Sequence, residues 1–472
     1  MDLLPEDVLA DILRRLAPRW LATSRCVCRA WRAAVDKRGL LSAVAGLLPR
    51  SLAGIFIHHS DDWVTCFLRR PSAGPIVSAD LDYTFSGDGD NKVEYSFEVS
   101  DHCNGLVLLQ GRVVNPATRQ WARLPPRPPP PCTGPEYFYV DGYLAYDPTV
   151  SPHYEVFSIP RVRRRREPDP RYKLDEQITW DESPITYKKL DPALEELEWP
   201  PSPCVIHVFS SRTGTWQERS FLREGAAAGT VSQMRIDTFI GHRYAVYWRG
   251  ALYVQCQTDF IMRLSLSSEK YQLIQPPAAF AEPCHSFDEN YARRLSIGKS
   301  EKGVYSVLVD QSRIKVWILD DSDGQFKWVS KQLVDHLPEL QEKSYYQLES
   351  HGSWLLQPIT SHCYTDPEEF VEAAPEQFEW DSDNDDLLPD NGNRTGYKAF
   401  ITFIGFHPYK EVIFLNDSLV RVLAYHLNSS KIQDLGYVYP EDELYDLGNQ
   451  VVRVDASFPY TPCWMRDFPQ ND

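Results

Sequence analysis

"YAVYWRGALYVQCQTDFIMRLSLSSEKYQLI", residues 244–274, decides how most of this chain is read. Four short runs, YAVYW, ALYVQ, IMRLSL and KYQLI, are rich in Val, Ile, Leu and Tyr. They are separated by Arg-Gly, Gln-Thr-Asp and Ser-Ser-Glu. Runs of about four to six such residues, bounded by Gly, Asp and Ser, read as strands joined by tight turns.

The pattern recurs. An apolar strand, a polar turn and an aromatic or apolar residue on the return appear in VVNPATRQWARL (113–124), HVFSSRTGTWQERSF (207–221), RLSLSSEKYQLI (263–274), WILDDSDGQFKWVS (317–330) and YHLNSSKIQDLGYV (425–438). The turns start near Asn115, Ser211, Ser267, Asp321 and Asn428, in steps of 96, 56, 54 and 107 residues. These steps are close to two, one, one and two units of about fifty residues, the length of a β-propeller blade. The two most loop-like stretches, 161–177 and 365–392, fall in the long steps, where insertions would hide or stretch a unit.

Five units are visible. The early strands GIFIHH (54–59) and DWVTCFL (62–68), with the late strand VVRVDASF (451–458), can supply a sixth. Pairing first and last strands would close the ring and remove its open edges. The expectation is a mainly β domain over 50–465, a six-bladed propeller with seven blades as the alternative, carrying insertions near 161–200 and 360–397. No Gly-Gly doublet of the kelch kind occurs. The two Trp-Asp pairs, at Trp180 and Trp380, sit in polar insertions, which argues against WD repeats.

Composition narrows the function. Hydrophobic residues make up 43% and aromatics 12% of 472 residues, enough for a sizeable core. A net charge of −17 disfavours whole-surface binding to nucleic acid or to an anionic membrane. No apolar run reaches the roughly 18 residues a membrane span needs. Glu6, Asp7 and Asp11 interrupt the first apolar positions, so a secretory leader is not expected. Ten scattered cysteines, mostly in apolar runs, suggest reduced core thiols and a cytoplasmic or nuclear setting. In that setting the sequons at Asn393, Asn416 and Asn428 are coincidental.

Tests for chemistry return bland readings. Gly298, Lys299 and Ser300 form the tail of a phosphate loop, but Arg293 stands where its first Gly belongs, so a surface turn is the better reading. GDGDNKVEYSFE (87–98) and DSDNDDLLPD (381–390) resemble parts of a calcium loop, yet Val93 and Asp386 occupy the position that needs Gly. No metal or other cofactor is expected. Histidines such as His207 and His426 alternate within strands and read as structural. The adjacent His58 and His59 should face opposite sides. The basic cluster Arg161, Arg163, Arg164, Arg165 and Arg166 reads first as a solvated insertion. A nuclear-import signal, an acidic-substrate contact or pairing with the acidic stretch Glu379–Asp386 are the alternatives.

The first forty residues differ. Pro5 suits the first turn of a helix, Glu6 and Asp7 favour the positive end of its dipole, and Val8, Leu9, Ile12, Leu13 and Leu16 share one face. A second short helix is predicted from Trp20 to about Arg25. A third is predicted from near Cys26, with Val27, Cys28, Trp31, Ala34 and Val35 apolar. Each large aliphatic left in water forgoes about 1.5–3 kcal/mol relative to burial. Three such helices cannot cover one another fully, so either the following domain or a second protein completes them.

LPEDVLADILRRLAPRWLATSRCVCRAWRAAV (4–35) resembles an F-box through Leu4, Pro5, Asp7, Leu9, Ile12, Leu13, Leu16, Val27, Cys28 and Trp31. It departs at Ala17, where Pro is frequent, and at Trp20, where a small polar residue is usual. NPATRQWARLPP (115–126) resembles a stretch of plant F-box-associated propeller domains. The resemblance implies an F-box over 1–45 that docks on a Skp-type adaptor, itself seated on a cullin scaffold. Leu4, Pro5, Leu9, Ile12, Leu13, Leu16, Val27 and Trp31 are the candidate adaptor-binding residues, although Trp31 and Cys28 can equally pack between the helices. It further implies a non-catalytic substrate receptor of an SCF-type ubiquitin ligase, with the propeller holding an unidentified protein substrate. A scaffold without a ligase role and, more remotely, a propeller enzyme are the rival readings.

Overall fold

In this computed structural model the described residues are 6–15, scattered positions from 24 to 35, 51–59, 65–72, 77, 80–84, 97–131, 134, 137–164, 191–237, 241–277, 294–310, 313–322, 325–334, 353–359, 380–381, 383–388, 401–417, 421–438 and 454–464. Leu4, Pro5, Leu16, Trp180, Arg165, Arg166 and most of the calcium-like stretch at 87–98 lie outside them.

The 244–274 stretch forms four antiparallel strands in chain order: β13 (Ala245–Trp248), β14 (Ala251–Gln255), β15 (Ile261–Ser265) and β16 (Lys270–Ile274). The same up-and-down order recurs in four other sheets. One holds β3 (Val99–Cys103), β4 (Leu106–Leu109), β5 (Arg112–Asn115) and β6 (Gln120–Arg123). The next holds β7 (Phe138–Ala145), β8 (Glu155–Val162), β10 (Cys204–Ser210) and β11 (Thr215–Glu224). Beyond 274 come β17 (Arg294–Ser300), β18 (Gly303–Asp310), β19 (Arg313–Asp320) and β20 (Lys327–Val334). Last are β22 (Ile401–Phe406), β23 (Val412–Asp417), β24 (Arg421–His426) and β25 (Ile432–Tyr437). A parallel pairing of Leu222–Glu224 with Lys270–Gln272 joins β11 to β16, so two of these sheets run on as eight strands.

The remaining sheet is assembled from distant segments in the order β21 (Leu355–Ile359), β2 (Thr65–Arg69), β1 (Gly54–His59) and β26 (Val454–Tyr460). The anticipated pairing of the earliest and latest strands is present: Phe56 lies opposite Phe458, and Gly54 opposite Tyr460. The outer strand β21 is a surprise, because its sequence LLQPI carries a proline. Its edge position explains the tolerance, since one side of an edge strand needs no donor.

The five recurring turns all prove to be the hairpin between a sheet's third and fourth strands. The steps of 96 and 107 residues therefore separate neighbouring sheets. They are single units stretched by insertions, not two units each.

Packing follows a cycle. One buried apolar cluster fills the space between each pair of neighbouring sheets. The sheet of β22–β25 packs through a further cluster on the composite sheet of β1 and β26. The first strands touch in the same order: β26 lies against β3, β3 against β7, β7 against β13, β13 against β17, β17 against β22 and β22 against β26. This explains the continuously apolar runs. In β14, Leu252 and Val254 face one neighbouring sheet, while Ala251 and Tyr253 face the other. In β23, Val412 and Phe414 alternate likewise with Ile413 and Leu415. A sheet covered on both faces has no polar side to alternate with.

Two short helices decorate the second of these sheets. α2 (Pro192–Glu195) is capped by Asp191, whose carboxylate accepts the Ala193 N–H. α3 (Val231–Arg235) starts in a Thr230–Gln233 capping box and buries Val231 and Met234. α2 and the two-residue strand β9 (Glu198–Trp199) occupy the described end of the first insertion, and β9 pairs with β12 (Gly229–Thr230), which leads into α3 after β11.

Candidate functional site

The N-terminal segment builds a small core of its own. Helix α1 (Glu6–Arg14) turns Leu9, Ala10 and Leu13 onto Ala34 and Val35, with Trp31 packed beside them. Ser24, Trp31, Ala34 and Val35 are helical, while Val27 sits in a turn, so the third helix begins after Cys28. Among the described residues no strand side chain joins this cluster.

The face expected to be one stripe therefore divides. Leu9 and Leu13 point inward and are buried. Val8 and Ile12 remain 44% and 45% exposed, and Val27 is 58% exposed. Trp31 is half-buried and packs between helices, which was one of its two readings. Of the eight candidate adaptor contacts, Ile12 and Val27 present apolar surface to solvent, and Leu9 and Leu13 are buried in the cluster with Ala34 and Val35.

A second site lies where the first strands converge. A cavity of about 70 Å³ opens among residues of β3, β13, β17, β22 and β26, with Tyr244 before β13 and the residues that follow β3, β22 and β26. An aromatic cluster packs behind His102 and Tyr244, which line it. Phe458 meets His102 at 5.6 Å and His242 at 5.1 Å, and Tyr244 meets His242 at 4.9 Å, all edge to face. Burial pushes His102 and His242 down to about 4, so both rings are neutral at neutral pH. Burial pushes the Asp101 carboxyl up to about 8, against the N–H that Leu144 donates to it at 2.7 Å.

At the mouth sits Lys299, and here the surface-turn expectation for 298–300 is overturned. Lys299 and Ser300 end strand β17. Ser300 is fully buried, donating its hydroxyl to the Lys410 carbonyl at 2.8 Å. Gly298 is required because a Cβ there would stand 2.6 Å from the Phe406 ring of β22. The phosphate-loop resemblance misled because Gly298 answers a close approach of two strands, not a cradle.

A larger cavity, about 190 Å³, lies between the composite sheet and β22–β25, lined among others by Arg70, Trp354, Trp380, His407 and Lys410. Its cations are engaged: Arg70 donates to the Trp380 carbonyl at 2.7 Å, and Lys410 pairs with Asp383 at 3.0 Å. Trp380 is thus a buried anchor, edge to face with Trp354 at 5.3 Å, although its sequence neighbours read as a polar insertion.

Other expectations resolve around these sites. Arg161 does not belong to a solvated basic loop. It is buried in β8, ion-paired with Asp141 at 3.0 Å, and donates to the Tyr143 hydroxyl and the Gln255 carbonyl. That set of partners rules out the import-signal and acidic-insertion roles for Arg161 itself. His426 bonds Gln433 at 2.7 Å and His207 lies 3.5 Å from Glu218, so both have structural partners. His58 and His59 are both buried, with a register shift between them. Asn416 is buried in β23. The six described cysteines form no disulfide, and five of them are buried. Among the described residues no group of three or more His, Cys, Asp or Glu side chains converges to hold a metal.

The geometry sets a small helical unit with an apolar exterior beside a ring of sheets with a cavity at its centre. Comparison with known proteins assigns the first part: residues 1–41 match the F-box-like family. Over 337 residues, 70% of its length, the chain is 22% identical to an Arabidopsis thaliana protein named "Putative F-box protein" and spans 59% of that relative. The first 41 residues are thus F-box-like, and most of the chain is similar to a plant protein that carries the F-box name.

Proposed function

We propose that this chain is the substrate-receptor subunit of an SCF-type cullin-RING ubiquitin ligase. The carrying observation is the divided stripe: an F-box-like segment that seals Leu9 and Leu13 by itself yet leaves Ile12, Val8 and Val27 in water. A Skp-type adaptor would cover that exterior, with Ile12 and Val27 as contacts and Leu9, Leu13 and Trp31 holding the surface in shape. In this reading the sheets form a six-bladed β-propeller. The cyclic order of first-strand contacts and the pairing of β1 with β26 support it. The propeller presents a protein substrate, and the chain itself does no bond chemistry. Its contribution is to raise the effective concentration of substrate beside the ubiquitin-carrying enzyme.

The test separates surface from support. Ile12→Asp puts a charge on the exterior and should abolish co-purification of adaptor and cullin while leaving the helical circular-dichroism signal unchanged. Leu13→Asp should lose both. Adaptor recovery from Ile12→Asp equal to that of the unaltered chain would reject the docking surface. Adaptor retained without cullin would favour a scaffold outside the ligase.

A further inference from the structure

We infer that the cavity mouth at Lys299, Asn104, Tyr409 and Thr461 is a binding site for a single carboxylate presented by a peptide. Lys299 is a largely buried ammonium held in place on three sides. It donates to Asn104 Oδ1 at 3.2 Å and stands 5.7 Å from the ring centres of both Trp248 and Tyr409. Asn104 is itself fixed, its amide donating to the Tyr146 carbonyl at 2.6 Å. No carboxylate pairs with Lys299 among the described residues. A desolvated cation of this kind is costly unless an anion meets it.

The neighbours favour an anion from outside. Burial lowers the Lys299 pKa, while Cys103 and Asp147 partly offset that. Asp147 is engaged with the Thr149 N–H and hydroxyl. Asp101, a buried residue of the cavity wall, carries its proton at neutral pH and so neither neutralises Lys299 nor repels an incoming charge. The Thr461 hydroxyl lines the same cavity, is buried, and has no hydrogen-bond partner among the described residues. One cation and one spare hydroxyl group match a carboxylate, which accepts at two oxygens. A cavity of about 70 Å³ has room for a carboxylate group. The placement suits presentation from a substrate, since segments from five strands meet there. As a substrate contact it rests on the receptor reading; as a carboxylate site it does not.

The experiment is ligand-observed saturation-transfer NMR on the full chain. Four probes are used, each up to about 10 mM, where weak single-contact binding is still seen: a Gly-Asp-Gly tripeptide blocked at both ends, its Gly-Asn-Gly counterpart, Gly-Gly-Gly with a free carboxyl terminus, and inorganic phosphate. Binding of a carboxylate peptide but not of the Asn peptide is expected, weakened roughly tenfold or more by Lys299→Met and less by Thr461→Val. Whether the blocked Asp peptide or the free-terminus peptide binds tells a side-chain source from a chain end. Thermal midpoints show that both variants fold. Lys299→Met should match or exceed the unaltered chain because it removes a buried charge. Should it fail to fold, Lys299→Gln serves, keeping the bond to Asn104. Equal binding by the Asn peptide, equal binding by phosphate, or binding indifferent to Lys299 would overturn the assignment. So would no binding at all. Adaptor co-purification is run on the unaltered chain as well as on both variants. Failure of the unaltered chain to recover adaptor while it binds the peptide would sink the receptor reading and leave the carboxylate site standing.

Discussion

Leu252 of β14 disappears between two sheets, whereas Ile12 of α1 stays 45% exposed, although both sit in strongly apolar stretches. The ring of sheets covers every apolar strand twice, because each sheet has a neighbour on both sides and the last sheet meets the first. The helical segment has one small cluster and then runs out of partners. An apolar run in a closed ring is core by necessity; on a three-helix unit it is core on one side and surface on the other. That difference carries the functional reading, and it can be broken at either end.

The largest effect should come from opening the ring. A chain stopped before Val454 loses β26, which leaves β1 with an unpaired edge and strips Phe458 and Tyr460 from the cluster they share with Phe56 and Phe67. Burial of two aromatics and a full strand ladder is lost, and a bare strand edge templates association. The truncated chain should show no cooperative unfolding transition in urea and should form oligomers by light scattering. The helical segment, whose cluster contains no strand residue, should keep its helix.

A smaller and sharper contrast compares Leu252→Ala with Leu13→Ala. Both residues are fully buried. Leu252→Ala should lower global stability by about 2–5 kcal/mol, as large-to-small core changes do. Leu13→Ala should leave the urea midpoint of the sheets unmoved, within about 0.5 kcal/mol, and instead speed proteolysis inside residues 6–35. A shared fall in both midpoints would mean that the two regions unfold as one.

How much of this could be read beforehand follows from the same contrast. Strand runs, hairpin turns and the closing pair of strands were legible because each leaves a local mark: β-branched and aromatic runs, then Asn, Ser, Asp and Gly at turns. The spacing of sheets across the insertions was not, because an insertion changes chain length without changing which sheets touch. β21 escaped notice because a proline-bearing outer strand has weak local signal. Arg161 looked solvated because its neighbours are arginines, while its partners Asp141, Tyr143 and Gln255 arrive from other strands. Lys299 was hidden for the same reason: nothing within ten residues foretells Asn104, Trp248, Tyr409 or Thr461. On α1 the period named the apolar face, but which half of it turns inward depends on Ala34 and Val35, a contact between helices.

The ring also holds buried charge, which the helical segment does not among its described residues. Glu411, its side chain 1% exposed, lies 3.2 Å from Lys302 and 3.0 Å from Lys331 and accepts the Tyr305 hydroxyl at 2.8 Å. Burial alone would raise its pKa. Hydrogen bonds from Lys331, Tyr305, Asn428 and Lys302 outweigh burial and hold it down to about 2, below the ordinary 4.5. A folded pKa below the unfolded one means that the unfolded chain takes up the proton first, so the stabilisation is full above about pH 4.5 and is lost as pH falls towards about 2. Glu411→Gln should cost about 3 kcal/mol at pH 7 by urea denaturation. The gap between the two chains should close as pH falls through that window. A gap independent of pH would mean that the side chain acts by packing alone.

The smallest expected effect is the most telling for the helical segment. Ile12→Ala removes an exposed side chain from a helix position where alanine is itself a strong helix former, so stability should change by less than about 0.5 kcal/mol. If the outer face of α1 meets an adaptor, the same substitution should weaken adaptor binding roughly tenfold or more, as loss of a central apolar contact does. Stability and binding would then separate at Ile12 and move together at Leu13, one helical position further on. A fall in stability at Ile12 comparable to that at Leu13 would place Ile12 inside a core. The exterior on which adaptor docking depends would then be gone.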